Sequence, residues 1–230
     1  MAQKDERAIT PHQDMYVVKV STSGGKNKFM EYVLTNYEGM KSNDIRPMFV
    51  FKYLNTGDTG MVLDAKSSDS LSLFAKTHIR NREEVTSVKV DNMVRPVFFP
   101  HPPNVDEMKR FAVTVTCQPM QCKGMYKQMI ELGSNDSAMI TMVTFIMNEN
   151  GQHVSMSVLA RDLGALNAFV ENHVSNLAGV DNIKVSELAH LRKLSTKFEW
   201  NKTVQPIAQW ESLIGRDYDD RVYRDVDQGC

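Results

Sequence analysis

Residues 15–21, MYVVKVS, alternate apolar and polar positions and carry β-branched side chains, the period of a half-buried strand. Gly24 and Gly25 break the run. From 26 to 37, Phe29, Met30, Val33, Leu34 and Tyr37 recur at helical spacing, and Gly39 is placed to end that helix. Residues 47–54, PMFVFKYL, return to strand character. The following NTGDTG, 55–60, is rich in residues that tolerate positive φ, so 61–65 closes a hairpin. A second helix is predicted over 67–80, with Ser67 or Ser68 as its N-cap, and a long strand over 85–97. The order β-α-β-β-α-β is the split βαβ, or ferredoxin-like, unit. Such a unit lays two helices on one face of a four-stranded antiparallel sheet and leaves the other face bare and apolar.

The pattern then recurs. Strands are predicted over 111–118, 138–147, 153–160 and 181–194, and helices over 121–132 and 162–177. A break falls at 133–136 and a turn at 148–152. The repetition holds residue by residue at an offset of 95: Ala65, Leu71, Phe74, His78, Val85 and Val90 are identical to Ala160, Leu166, Phe169, His173, Val180 and Val185. An internal repeat of this kind decides architecture. The fold class read from it is α+β: two tandem ferredoxin-like (βαββαβ) repeats with a C-terminal extension. The chain divides into an N-terminal arm (1–14), a first repeat (15–100), a linker (101–109) stiffened by Pro102 and Pro103, a second repeat (110–195) and the extension (196–230).

Composition narrows the function classes. A net charge of −1, with 24% charged residues, provides no field for nucleic acid or an anionic membrane surface. No run approaches the roughly 18 apolar residues of a membrane span. The polar start, MAQKDERAITPHQD, has no apolar signal core, so the expected location is cytoplasmic. Cys117, Cys122 and Cys230 make an odd count, and the expectation is free thiols. Neither CxxC nor HxxxH spacing occurs, so no metal and no cofactor is expected.

Residues 160–185 resemble the ligand-binding (effector, or RAM) domain of the Lrp/AsnC family. Asp162-Leu163, Ala165-Leu166-Asn167, Phe169-Val170, Leu177 and Gly179-Val180 fit that family's helix pattern, DLxALNxFVxxxVxxLxGV. The first repeat fits more loosely, at Thr56-Gly57-Asp58, Leu71, Phe74, His78-Ile79 and Val85. The resemblance implies a fold of the dimeric α/β-barrel type. Two ferredoxin-like units would then pack sheet against sheet, either within the chain or between subunits. The family's DNA-binding helix-turn-helix has no counterpart in the fourteen polar residues ahead of Met15, so direct nucleic-acid binding is not implied. The family's turn, Gly-x-Tyr-Asp, reads Asn55-Thr56-Gly57-Asp58 in one repeat and Asn150-Gly151-Gln152-His153 in the other, and Asp58 alone keeps a carboxylate.

Those two turns are the candidate ligand site: Asn55, Thr56, Gly57 and Asp58 with Asn150, Gly151, Gln152 and His153. Backbone N–H groups in Gly-rich turns hold small anions, although the same composition also makes a plain hairpin turn. His78 and His173 occupy equivalent helix positions and read as structural, half-exposed side chains rather than ligands. Met139, Met142, Met147 and Met156 suit a sheet-to-sheet core or an apolar ligand cavity. In the extension, Trp200, Trp210, Tyr218 and Tyr223 are candidate interface anchors, onto the chain's own core or onto a partner subunit. No Ser/His/Asp order, P-loop, GxGxxG or HExxH occurs, so no catalytic residue is assigned. The expected function is a stand-alone, non-catalytic effector-type domain that binds a small molecule, assembles as a homo-oligomer, or both. The alternatives are an oxygenase-like barrel enzyme, haem-dependent or cofactor-free, and a structural assembly protein.

Overall fold

The computed structural model describes residues 14–23, 28–99, 107–118, 121–134, 139–148 and 151–194. The first half of the chain supplies β1 (Asp14–Thr22), α1 (Lys28–Asn36), β2 (Ile45–Tyr53), β3 (Thr59–Ala65), α2 (Ser68–Phe74) and β4 (Val85–Phe98). The helix α2 runs on as a π-helical turn, Ala75–Arg80. The second half supplies β5 (Lys109–Cys117), α3 (Cys122–Gly133), β6 (Ile140–Asn148), β7 (Gly151–Ala160), α4 (Leu163–His173) and β8 (Val180–Lys193). The bounds of β1 and β5, of β2 and β6, and of β4 and β8 differ by 95 at both ends (109 less 14, 140 less 45, 180 less 85).

Strand alternation sorts the side chains into two layers. On the helix side of the first half, Val18, Val20, Met61 and Leu63 are fully buried against Phe29, Met30 and Val33 of α1 and Leu71 and Phe74 of α2. On the helix side of the second half, Phe111, Val113, Val115, Val154, Met156 and Val158 pack against Met125 and Met129 of α3 and Leu166 and Phe169 of α4. The N-cap expected at Ser67 or Ser68 falls on Ser67, and α4 has a cap that the sequence reading did not name, Asp162. Ser67 Oγ accepts from the Ser70 N–H at 3.2 Å, and Asp162 Oδ1 accepts from the Ala165 N–H at 2.8 Å.

The other faces turn toward each other. The first sheet has the order β4-β1-β3-β2 and the second β8-β5-β7-β6, and they join edge to edge through β2·β8 and β4·β6 into one closed antiparallel barrel. The expected pairing of two units therefore takes place within this chain, through backbone ladders as well as facing sheets. Both seams carry a bulge at equivalent places. The β4·β6 register shifts between Val94 and Val97, around Pro96, which has no N–H to give to a ladder. The β2·β8 register shifts beside His190, which sits at φ 54°.

The cysteines correct the sequence reading. Cys117, at the end of β5, and Cys122, at the start of α3, form a disulfide, with Cα atoms 5.2 Å apart. The chain reverses between strand and helix and brings both thiols within bridging range, which a spacing of five residues does not show by itself. Most of the linker, the N-terminal arm up to residue 13, Cys230 and the aromatic anchors Trp200, Trp210, Tyr218 and Tyr223 lie outside the described residues. No described helix is long and apolar enough to cross a membrane.

Gly60 of β3 lies beneath Phe51 of β2, and a Cβ at Gly60 would collide with the Phe51 ring. Gly60→Ala is expected to displace that ring and destabilise the fold by about 1–3 kcal/mol, the usual cost of overpacking. Urea unfolding measures it, and an unchanged midpoint would mean that Phe51 is not pinned there.

Candidate functional site

The facing sheets do not fill the space between them. A cavity of about 340 Å³ lies inside the barrel, and every strand contributes to its wall. That size is at the lower end of small-molecule pockets, and an eight-stranded barrel is just wide enough to hold one such ligand. The first half lines it with Val17, Phe49, Phe51, Tyr53, Val62 and Met93. The second half adds Met142, Leu188 and Leu191, but also Arg110, Thr141, Ser155 and Ser157. One wall is apolar apart from the Tyr53 hydroxyl, and the facing wall carries hydroxyls and two cations, Arg110 and the exposed Lys193.

Arg110 is placed by register. It is the second residue of β5, pairs with Leu159 of β7 on one side and with Leu188 of β8 on the other, and Leu188 in turn pairs with Tyr53 of β2. Arg110 Nη1 donates to Thr141 Oγ1 at 2.7 Å and to Ser157 Oγ at 2.8 Å. Thr141 Oγ1 donates onward to the Ser157 carbonyl at 3.1 Å. Burial pulls the guanidinium down to about 10, so it remains protonated at neutral pH. On the facing wall, burial and then the charges of Asp91 and Asp58 push the Tyr53 phenol well above its ordinary range. It is therefore a neutral hydroxyl near pH 7.

The predicted turn residues sit elsewhere. Asn55, Thr56 and Gly57 are exposed, and Gly57 adopts φ 73°, as its hairpin turn requires. Asn55 Nδ2 donates to Ser186 Oγ at 3.2 Å and so ties the turn to β8. Asp58 is buried and paired with Lys19 Nζ at 2.9 Å. Lys19 also lies 4.8 Å from the centre of the Tyr53 ring. Burial alone would raise the Asp58 carboxyl, but hydrogen bonds from Thr56, Lys19 and Ser21, with the Lys19 charge, hold it below the usual carboxylate value. In the second repeat, Gly151 and Gln152 open β7, and His153 pairs in the ladder with Thr116 and Ile146. The His153 Nδ1 is buried with no hydrogen-bond partner. Asn150 lies outside the described residues. None of the described turn residues lines the cavity.

His78 and His173 each rest on the aromatic ring one turn earlier, with ring centres 5.0 Å apart for Phe74–His78 and 5.4 Å for Phe169–His173. Of the four clustered methionines, Met142 lines the cavity, and Met156, a helix-side residue, only borders it. Arg110 was missed by sequence reasoning, although the repeat carries its signal. At an offset of 95 it stands where the first repeat has Met15, so one sheet position is buried methionine in one copy and arginine in the other.

This architecture is that of the dimeric α/β-barrel, ferredoxin-like proteins. A candidate monooxygenase from Lactobacillus acidophilus NCFM shares it at a TM-score of 0.54 and 10% identity, over 79% of this chain and 96% of that one. An anthrone oxidase-like protein shares it at a TM-score of 0.56 and 11% identity, over 81% of this chain and 95% of that one. A further candidate monooxygenase, from Fusobacterium nucleatum subsp. nucleatum, aligns at a TM-score of 0.53 and 9% identity, over 80% and 95% of the two chains. At such identities the likeness is one of fold. No family model matches the chain. No curated protein matches it in sequence.

Because the Asp58 carboxyl is held below its unfolded value of about 3.9, its contribution to stability is complete above that value and is lost as pH falls through the folded one. Wild type should therefore be more stable than Asp58→Asn at neutral pH. The gap should close across the acid range, in thermal melts taken at successive pH values. A gap that stays constant down to low pH would show that the Lys19–Asp58 pair contributes nothing through its charge.

Proposed function

We propose that this chain is an internally duplicated dimeric α/β barrel that takes a small, largely apolar molecule into the barrel interior and acts on it in the manner of an oxygenase. The observation that carries the reading is the cavity enclosed by all eight strands, apolar on one wall and hydroxyl-bearing on the other. The fold likeness to candidate monooxygenases and to an anthrone oxidase-like protein supports enzymatic use of such a chamber. Among the described residues, the lining brings Arg110 and the exposed Lys193 but no Asp, Glu or His. The reaction it suits is therefore one whose substrate ionises readily beside a fixed positive charge in a water-poor site. Arg110 stabilises the oxyanion that results, and Tyr53, kept neutral, offers a hydroxyl from the facing wall.

The second reading is a non-catalytic effector-type domain, favoured by the helix pattern of residues 160–185. Two residues of that pattern have structural work: Asp162 caps α4, and Gly179 takes φ 85° in the turn before β8. The pattern thus supports the fold more directly than it supports an effector. Assembly into a homo-oligomer remains part of the proposal. It would use surfaces other than the sheet edges, which pair within the chain.

Ala112 of β5 faces the cavity between Arg110 and Thr114. Ala112→Phe should fill the interior and weaken binding of 2-methylnaphthalene at least about tenfold, a loss of about 1.4 kcal/mol by titration calorimetry. Circular dichroism should show the fold retained. Unchanged binding by a folded Ala112→Phe protein would place the site outside the barrel.

A further inference from the structure

We infer that the barrel interior carries a subsite for a single carboxylate, built by Arg110 with Thr141 and Ser157, which takes the acid end of an otherwise apolar ligand. The inference rests on the interior-binding reading above and adds the ligand's charge and orientation.

The hydrogen bonds show which part of the guanidinium is in use. Both of its hydrogen bonds to described residues come from Nη1, to Thr141 Oγ1 and Ser157 Oγ, and those two hydroxyls are themselves 3.0 Å apart. A guanidinium has five N–H groups. The two hydroxyls hold one nitrogen and fix the plane of the group, while Nε and Nη2 keep three N–H groups without a hydrogen bond to the described protein. That free edge is the fork that matches the two oxygens of a carboxylate. The hydroxyls position the cation without neutralising it.

The surrounding charges are already committed. Asp58 pairs with Lys19, Asp64 with Arg46, and Glu187 with Lys109. Among the described residues, Arg110 has no carboxylate within ion-pair distance. The repeat makes this specific. Each half carries an arginine close to this level of its sheet, but the first half supplies Arg46 with Asp64 directly opposite. The second half has Leu159 where Asp64 stands at an offset of 95, and Leu159 is the cross-strand partner of Arg110. Arg110 is half-buried, so its charge carries a partial desolvation cost that no counter-ion offsets, and an incoming carboxylate would offset it. One free guanidinium edge fits one monoanion. The facing wall of Val17, Phe51, Val62 and Met93 then takes the apolar body.

The test uses the full chain at pH 7 and two probes of similar shape, 2-naphthoate and 2-methylnaphthalene, titrated by calorimetry. Wild type should bind the naphthoate about tenfold or more tightly, as expected of a charge-assisted bidentate pair. Arg110→Met, which installs the residue found at the equivalent Met15, should erase the preference and leave methylnaphthalene binding within about twofold. Arg110→Lys, which keeps the charge but loses the fork, should give an intermediate preference and serves as the readout if the methionine variant does not fold. Lys193→Met, at an exposed lysine on the same wall, should keep the preference. Methylnaphthalene binding with no preference for the acid, or a preference that survives Arg110→Met, would overturn the subsite and leave interior binding intact. Binding of neither probe by wild type would overturn the interior reading and this inference together.

Discussion

Backbone closure is the constraint on which the rest depends. A ferredoxin-like sheet with helices on one face leaves its other face apolar and its two outer strands unpaired, both liabilities in water. Here one arrangement removes both, and the means is strand length. β4 and β8 have 14 residues where β1 has 9. The first part of β8 pairs with β5 and the last part with β2, and β4 divides itself in the same way between β1 and β6. Each long strand thus belongs to both sheets. The bulges beside Pro96 and His190 fall where the strand passes from one partner to the other and absorb the change of register. Because the seams are ladders of backbone hydrogen bonds, the interior is enclosed whatever side chains face it.

That independence is what allows the two halves to diverge inside. The helix-facing layers remain alike, with valine, methionine and leucine filling equivalent positions such as Met61 and Met156. The interior layers do not. Met15, Arg46 and Val62 of the first half answer to Arg110, Thr141 and Ser157 of the second. The exchange moves an arginine from a place with its own acid to a place without one. The two halves supply similar walls, and the differences at positions 95 apart make one of them polar and the facing one largely apolar.

The fold was largely legible and the cavity was not, for a physical reason. Period-two alternation reports that a strand has two environments but not whether the second one is water. Residues 153–160 read as a strand whose second face needs a partner, and the alternation of Val154, Ser155, Met156, Ser157 and Val158 does not say whether that face is filled or leaves a space. In the structure the serines face an enclosed space, because closure turns that face inward. The offset of 95 located strand bounds well, since it compares two copies of one pattern instead of relying on one. Finer features were out of reach. Six residues, Ala75–Arg80, are too few to separate a π-helical turn from an α-helical one by spacing. The Cys117–Cys122 bridge depends on how the chain reverses between β5 and α3, which composition does not encode.

The turns and the interior also differ in what a charge accomplishes there. Gly-rich turns attracted attention because their N–H groups can face an anion, but Asn55, Thr56 and Gly57 are open to water, where a unit charge at contact distance is worth only about 1 kcal/mol. The carboxylate present in that turn, Asp58, is turned inward onto Lys19 and serves the hairpin. Arg110 is in the opposite situation. Burial has stripped part of its water, as its lowered pKa reflects, and two hydroxyls have taken over its orientation without taking over its charge. An electrostatic interaction made there is stronger per contact and needs little reorganisation of the protein. A barrel closed by backbone bonds can leave one such half-buried charge unpaired at a tolerable cost in stability, and that charge selects among otherwise apolar ligands.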